Sequence, residues 1–432
     1  MIQLKGKDNW EWKPLKFIFN YFLSSVDRKF KEEELNVHIC HYPDVYKNEK
    51  ISNKDNLNKG TCTEFELENF KLKKGDILIT KDSEDPKDIG IPCLIENDIV
   101  DSVCGYHIGI LRTNENIERE FYFRYIQSTD VKDYFFCESN GITRFGLGKS
   151  SVENLKIPIL SIQEQKIISQ YLDKKTKQID SLIEKIDKKI KLLKEQKTAL
   201  INQFITKGLD PNFETVNSEN EWIHEIPNRW KKLKISYLID IRDGTHDTPS
   251  YIDSTDGFPL ITQKDIDGDK INFLGNKYIS SDDHLLISKR SKVSKGDIIM
   301  SMIGSIGFPT IVNTNKEFSI KNLALFKTSN SNENPEFIKF VLESEYIKMQ
   351  LDLEKGGGVQ KFVSLETLRN LKIIIPEINE QNEIIYFLNK QLDLIQKLIV
   401  KEIKKHKLLN EYRQSLISSV VTGKIQITED ML

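Results

Sequence analysis

Several strings in this 432-residue chain carry the residue types of catalytic motifs, and each fails at an identifiable position. Amino-methyl transfer to a base uses an (Asp/Asn)-Pro-Pro-(Tyr/Phe) loop that holds the flipped base. Asn334-Pro335-Glu336-Phe337 and Asp210-Pro211-Asn212-Phe213 both lack the second proline, and the first has the form of a helix start with Pro at its opening. Gly148-Lys149-Ser150 resembles the end of a P-loop, but the glycine required five residues earlier is Thr143, so no phosphate cradle forms. Pro43-Asp44 and Asp85-Pro86-Lys87 have the pieces of a nuclease motif at too long a separation. His38, Cys40 and His41 lack a fourth metal ligand at suitable spacing. The expectation is a chain with no catalytic centre, no metal and no cofactor of its own.

The remaining chemistry is that of contacts to nucleic acid. Lys71, Lys73 and Lys74, and the cluster Lys289, Arg290, Lys292 and Lys295, have the look of phosphate-positioning charge. Asp243-Gly244-Thr245-His246 reads as a turn presenting small polar groups, with Thr245 and His246 as candidate contacts. Gln263 and Lys264 follow, and Gln can pair bidentately with adenine, Lys and Arg with guanine or phosphate. Arg144 and the pair Gln360-Lys361 occupy matching places in two copies of a repeat. The net charge of −2, with 30% charged residues, supplies no overall basic excess. Any DNA contact must therefore come from such local clusters or be shared with partner subunits.

These groups are positioned by a duplication. Asn154-Leu155-Lys156-Ile157 recurs as Asn370-Leu371-Lys372-Ile373, a shift of 216 residues that also aligns Glu164-Gln165 with Glu380-Gln381 and Leu200-Ile201 with Leu416-Ile417. Trp12-Lys13-Pro14-Leu15-Lys16 resembles Trp230-Lys231-Lys232-Leu233-Lys234, and Lys74-Gly75-Asp76-Ile77 resembles Lys295-Gly296-Asp297-Ile298, at shifts of 218 and 221. Each half is a mixed α/β (α+β) lobe followed by one long helix. The lobes have diverged by insertion and deletion, and the helices have kept their length.

The first helix opens with a capping box, Ser161-Ile162-Gln163-Glu164, and stops at Gly208. Between them Leu172, Thr176, Ile179, Ile183, Ile186, Ile190, Leu193, Lys197, Leu200 and Phe204 alternate steps of four and three, a heptad seam. The second seam runs through Leu388, Leu392, Ile395, Ile399, Glu402, His406, Leu409, Arg413, Leu416 and Val420. About 42 residues make a rod of roughly 63 Å, and two equal rods most economically bury their seams against each other. Antiparallel pairing would place the lobes at opposite ends with approximate two-fold symmetry. The expected division is 1–160 first lobe, 161–208 first spacer helix, 209–225 linker, 226–376 second lobe, 377–423 second spacer helix and 424–432 tail.

With 38% hydrophobic residues the chain can fill two or three cores. It has no apolar run of about 20 residues and no apolar segment near its polar first residues. Five cysteines, an odd number without a C-x-x-C pair, fit reduced thiols in a cytoplasm.

Glu164-Gln165-Lys166-Ile167-Ile168 through Ile179-Asp180, and Leu193-Lys194-Glu195-Gln196 through Asp210-Pro211, resemble the conserved regions of type I restriction-modification specificity subunits. The restart Trp222-Ile223-His224-Glu225-Ile226-Pro227-Asn228-Arg229-Trp230 is similar to the entry into that family's second target-recognition domain. Strings within the lobes match too, including Thr143 to Leu147, Ile303 to Gly307 and Gly356 to Gln360. The resemblance implies that each lobe reads one half of a split, asymmetric DNA target and that the coiled coil sets the spacing. It implies two docked methyltransferase subunits using S-adenosylmethionine, and restriction (motor-nuclease) subunits using ATP and magnesium. Two other readings are a specificity module of a related two-subunit restriction-methylation enzyme, and a coiled-coil scaffold with no DNA role.

Overall fold

The computed structural model describes residues 10–27, 30–210, 212–217, 223, 225–252, 257–303, 309–353 and 362–432. The chain divides into two compact units, residues 1–188 with 403–432, and residues 189–402. Each unit therefore combines one lobe with half of each long helix.

In the first unit a five-stranded sheet comprises β1 (Asn20–Leu23), β2 (Lys50–Ile51), β3 (Ile77–Thr80), β4 (Pro92–Ile95) and β5 (Ile108–Arg112), in the order β1-β5-β3-β4-β2. All pairs are antiparallel except β4 with β2. β3 is buried along its whole length because the period of two sends alternate side chains into different cores. Ile77 and Ile79 join Phe121, Tyr122 and Phe123 on one face, while Leu78 joins Val37, Ile39 and Val103 on the other.

The second unit has the same central order with one strand fewer. β6 (Ile241–Asp243), β7 (Ile298–Ser301), β8 (Thr310–Ile311) and β9 (Leu323–Phe326) form an antiparallel sheet β6-β9-β7-β8. β9 is thus the counterpart of β5, and β7 of β3.

Each lobe is closed by a two-stranded ribbon, Glu11–Pro14 with Lys156–Ile159 and Lys231–Lys234 with Lys372–Ile375. The repeated Asn-Leu-Lys-Ile strings lead into the second strand of each ribbon. Lys16 Nζ donates to Asn154 Oδ1 at 3.0 Å, and Lys234 Nζ to Asn370 Oδ1 at 2.7 Å.

The long helices are Ile162–Lys207 and Ile378–Val421. Within the first unit Leu172 and Ile179 of the first helix share a core with Leu416, Ile417 and Val420 of the second. Ile183 and Leu409 pack on its edge, and Ile186 is half-buried. Within the second unit Phe204 packs with Ile384 and Leu388, and Leu193 with Ile395 and Ile399, flanked by Ile190 and Leu200. Early residues of one helix meet late residues of the other in both units, so the pair is antiparallel. The polar seam positions are ion-paired: Glu402 with Lys189 at 2.9 Å, His406 Nε2 with Asp187 at 3.5 Å, and Arg413 with Asp180 at 2.8 Å. Arg413 also reaches Glu49, at 2.8 Å, tying the first lobe to the second helix.

The repeated Glu-Gln string closes the start of each helix against its lobe. Ser161 and Glu164 form a reciprocal cap. The neighbouring Gln165 is buried; its Oε1 accepts the Glu118 N–H at 2.8 Å and its Nε2 donates to the Leu160 carbonyl at 2.9 Å. Gln381 repeats this with the Asn334 N–H at 3.0 Å and the Pro376 carbonyl at 3.0 Å. A second tie comes from the other helix. Ser418 Oγ accepts the Thr129 N–H at 2.9 Å, and Asn202 Oδ1 accepts the Glu345 N–H at 3.0 Å, again 216 residues apart. Gln165→Ala and Gln381→Ala each leave lobe backbone groups without their side-chain partner, and should each cost about 1–3 kcal/mol. Urea unfolding of both variants measures this, and losses below about 0.5 kcal/mol would rule out the clamp.

Candidate nucleic-acid interface

The two ends of each central sheet differ in chemistry. At the end where β3 and β7 begin, a buried aspartate holds a cation. Arg112 Nε and Nη2 donate to Asp76 at 2.8 and 2.7 Å, and Lys327 Nζ donates to Asp297 at 2.5 Å. The same carboxylates accept the N–H groups of Lys73 and Ser294, at 2.9 and 2.8 Å. The repeated Lys-Gly-Asp-Ile string is thus an architectural turn. Lys71, Lys73 and Lys74 lie at this end in the first lobe, and Lys292 and Lys295 in the second, with Lys71, Lys74, Lys292 and Lys295 exposed.

The other end, about 13 Å away across four strand residues, carries a different cluster. Asp82 follows β3, His107 immediately precedes β5, and Arg144 comes from the segment leading to the closing ribbon. Arg144 donates to Asp82 Oδ1 through Nε at 3.0 Å and Nη2 at 2.6 Å. His107 Nδ1 lies 2.8 Å from Asp82 Oδ2, and Arg144 Nη2 lies 3.1 Å from the same ring nitrogen. The pairing of Gly146 with Asp82 delivers Arg144 to this place. His107 has φ 73, a left-handed conformation uncommon for a residue other than glycine. Tyr21 packs under Gly109, and burial, reinforced by the charges of Cys104 and Asp82, pushes its hydroxyl pKa up.

In the second lobe Asn322 immediately precedes β9, with φ 56. Its Oδ1 lies 3.0 Å from His246 Nδ1, and His246 Nε2 lies 2.9 Å from Asp243 Oδ2. Arg290 Nη2 donates to Asp243 Oδ1. Thr245 is fixed beside this group by its N–H bond to the Ile320 carbonyl at 3.0 Å. The chain at Lys321 is bonded on its other side to Ile261, two residues before Gln263. Gln263 Oε1 is buried without a hydrogen-bond partner among the described residues, and Lys264 is exposed on the same short turn. Lys289 is exposed on the helix Ser281–Ser291. Gln360 and Lys361 lie outside the described residues.

The near-miss motifs have local roles. Asn334 caps its helix, its Oδ1 accepting the N–H groups of Glu336 and Phe337 at 2.8 and 3.3 Å. Asp44 accepts the His41 N–H at 2.7 Å in a capping box, and Asp85 accepts the Lys87 N–H at 2.9 Å. Among the described residues no three His, Cys, Asp or Glu side chains converge as metal ligands, and no helix is long and apolar enough to cross a membrane.

The sequence profile of the type I restriction modification DNA specificity domain matches twice, over residues 7–192 and 227–405. The chain belongs to this family. Similar members include the type I restriction enzyme MjaVIII specificity subunit of Methanocaldococcus jannaschii, 26% identical over 73% of each chain. The EcoBI specificity subunit of Escherichia coli is 25% identical over 67% of this chain and 62% of its own. A chain from a structure addressing complex assembly and conformational transition of the type I R-M system covers 98% of this chain and 100% of its own. It is 14% identical, with a TM-score of 0.72. The HsdS subunit from Thermoanaerobacter tengcongensis has a TM-score of 0.53 at 16% identity, covering 98% of this chain and 99% of its own. As a specificity subunit the chain recognises DNA, and its duplicated α/β lobes with two long helices are the family's fold.

Sequence reasoning singled out Arg144, Thr245, His246 and Arg290, and the structure gathers them at one sheet end in their respective lobes. It did not single out Asp82, His107 or Asn322. The available signal was that His107 and Asn322 stand in front of equivalent strands. Gly244 limits the second cluster, because a Cβ there would sit 2.3 Å from the Ile320 carbonyl oxygen. Gly244→Ala should destabilise the second lobe by about 1–3 kcal/mol and degrade recognition of one half-site only. Thermal unfolding and target-motif mapping together check this.

Proposed function

We propose that this specificity subunit reads a split, asymmetric DNA sequence, one half with each lobe, and that the paired helices fix the spacing between halves. The observation that carries this reading is the polar cluster at the same sheet end of both lobes, built from different residues in each. The side chains come from different positions in the two lobes and so are aimed differently, which suits unlike half-sites. The nearly equal helices, 46 and 44 residues, or about 69 and 66 Å at 1.5 Å per residue, support a spacer of set length.

Two methyltransferase subunits dock on the chain and methylate adenine with S-adenosylmethionine. Motor-nuclease subunits using ATP and magnesium complete the assembly, which works in the cytoplasm. The chain contributes recognition and holds no cofactor, in keeping with Asn334 being spent on a helix cap. The second long helix leaves Leu394, Leu398 and Val400 exposed in the second unit, and Ile403, Leu408 and Tyr412 in the first. Apolar side chains left in water along one helix support a partner interface.

Deleting the gene should erase a single split adenine-methylation motif from the host's methylated-adenine map; an unchanged map would refute the reading. A double variant, Leu394→Asp with Leu398→Asp, should weaken methyltransferase binding at least 10-fold. Its unfolding midpoint should hardly move, since both residues are exposed. Size-exclusion chromatography of mixed subunits gives the first result and thermal unfolding the second.

A further inference from the structure

The two clusters share a composition that the duplication does not explain. Each contains a buried aspartate, a histidine bonded to that aspartate, and an exposed arginine bonded to the same carboxylate. The positions are not equivalent. Asp82 lies opposite Gly146, and the residues in the corresponding bridge of the second lobe are Ile303 and Phe362. The second lobe takes its aspartate from the end of β6 instead. The position of His107 is filled by Asn322, and the second lobe's histidine comes from the turn after β6. Arg144 comes from a late connector and Arg290 from the helix Ser281–Ser291. A contact inherited for stability would have kept its positions. The same trio assembled twice from different residues, at the same end of equivalent sheets, indicates a shared task.

We infer that Arg144 and Arg290 each read a guanine edge in the major groove, with Asp82 and Asp243 as positioning residues. This rests on the reading that each lobe addresses one half-site. The side chains of Arg144 and Arg290 are 54% and 59% exposed, whereas those of Asp82 and Asp243 are 12% and 7% exposed. The carboxylate therefore fixes each guanidinium from behind while its far edge faces solvent. In Arg144 the Nε and Nη2 groups face Asp82, and Nη1 meets no partner among the described residues. Nη2 also lies 3.1 and 3.2 Å from the two ring nitrogens of His107, so Nη1 is the open donor, and a guanine O6/N7 edge would engage it together with Nη2 by taking the place of the His107 contact. The pairing also argues against phosphate as the main ligand. A carboxylate in direct contact offsets the charge a phosphate would be drawn to, in full for Arg290 and in part for Arg144, whose Asp82 is also 3.7 Å from Lys81, but leaves hydrogen-bond geometry intact. The exposed lysines at the opposite sheet ends have the reverse property.

The test uses the assembled methyltransferase complex carrying Arg144→Ala, Arg144→Lys, Arg290→Ala or Arg290→Lys. Base-resolved target selection is measured together with the salt dependence of binding. Each alanine variant should make one guanine position of one half-site degenerate, lowering discrimination there by about 5- to 150-fold. The other half-site and the salt slope should be unchanged. The lysine variants, which keep charge but lose the planar fork held by the aspartate, should restore discrimination at that position only in part. Uniform weakening on all sequences with a salt slope reduced by about one, restored by lysine, would overturn the inference in favour of a phosphate contact. An unchanged motif, or a wild-type half-site without guanine, would overturn it as well. If an alanine variant fails to assemble, the lysine variant of the same residue decides. A wild-type complex that methylates no split motif would instead count against the proposed function itself.

Discussion

Backbone amides at the starts of the lobe helices have no partner within their own helices, and the long helices supply it. In the first lobe the Glu118 amide is taken by Gln165, from the start of the first long helix. The Thr129 amide is taken by Ser418, from the end of the second. The second lobe uses Gln381 and Asn202 in the same way. A part-buried amide left open costs up to about 1–3 kcal/mol, so each lobe is completed by one helix beginning and one helix ending together. That requirement matches antiparallel pairing and gives a physical reason for the helical strings to repeat more faithfully than the lobes.

Much of this framework was legible in the residues. Gln165 and Gln381 stood out as part of a repeated string, and the heptad steps from Leu172 to Phe204 marked the face that packs on the second helix. The polar seam residues Glu402, His406 and Arg413 were visible, and their partners Lys189, Asp187 and Asp180 required the pairing to be known. The candidate interface was less legible. Asp82 and Arg144 lie 62 residues apart, and Asp243 and Arg290 lie 47 apart, so no local pattern joins them. Insertions between the copies hid the equivalence of His107 and Asn322, which appears only when β5 and β9 are seen to hold the same place. The basic runs around Lys73 and Lys295 also mark turns locked by Asp76 and Asp297, a structural role that their charge did not announce.

The electrostatics also reconcile a net charge of −2 with DNA recognition. Where arginines meet the candidate interface, each is matched by a carboxylate, so recognition there draws on the direction of donors more than on bulk attraction. Partner subunits would then carry much of the long-range attraction to the duplex.

Both long helices cross the same boundary, between Lys188 and Lys189 in one and between Glu402 and Ile403 in the other. On each side their contacts are in fixed register. One residue added to a single helix turns everything beyond it by about 100° and sets the two registers in conflict. A length change can therefore be inherited only as a matched pair of insertions, in whole turns, at two places more than 200 residues apart in the gene. Substitutions in a lobe face no such requirement. The molecule should accordingly evolve new half-sites gradually and new spacings rarely, in discrete jumps.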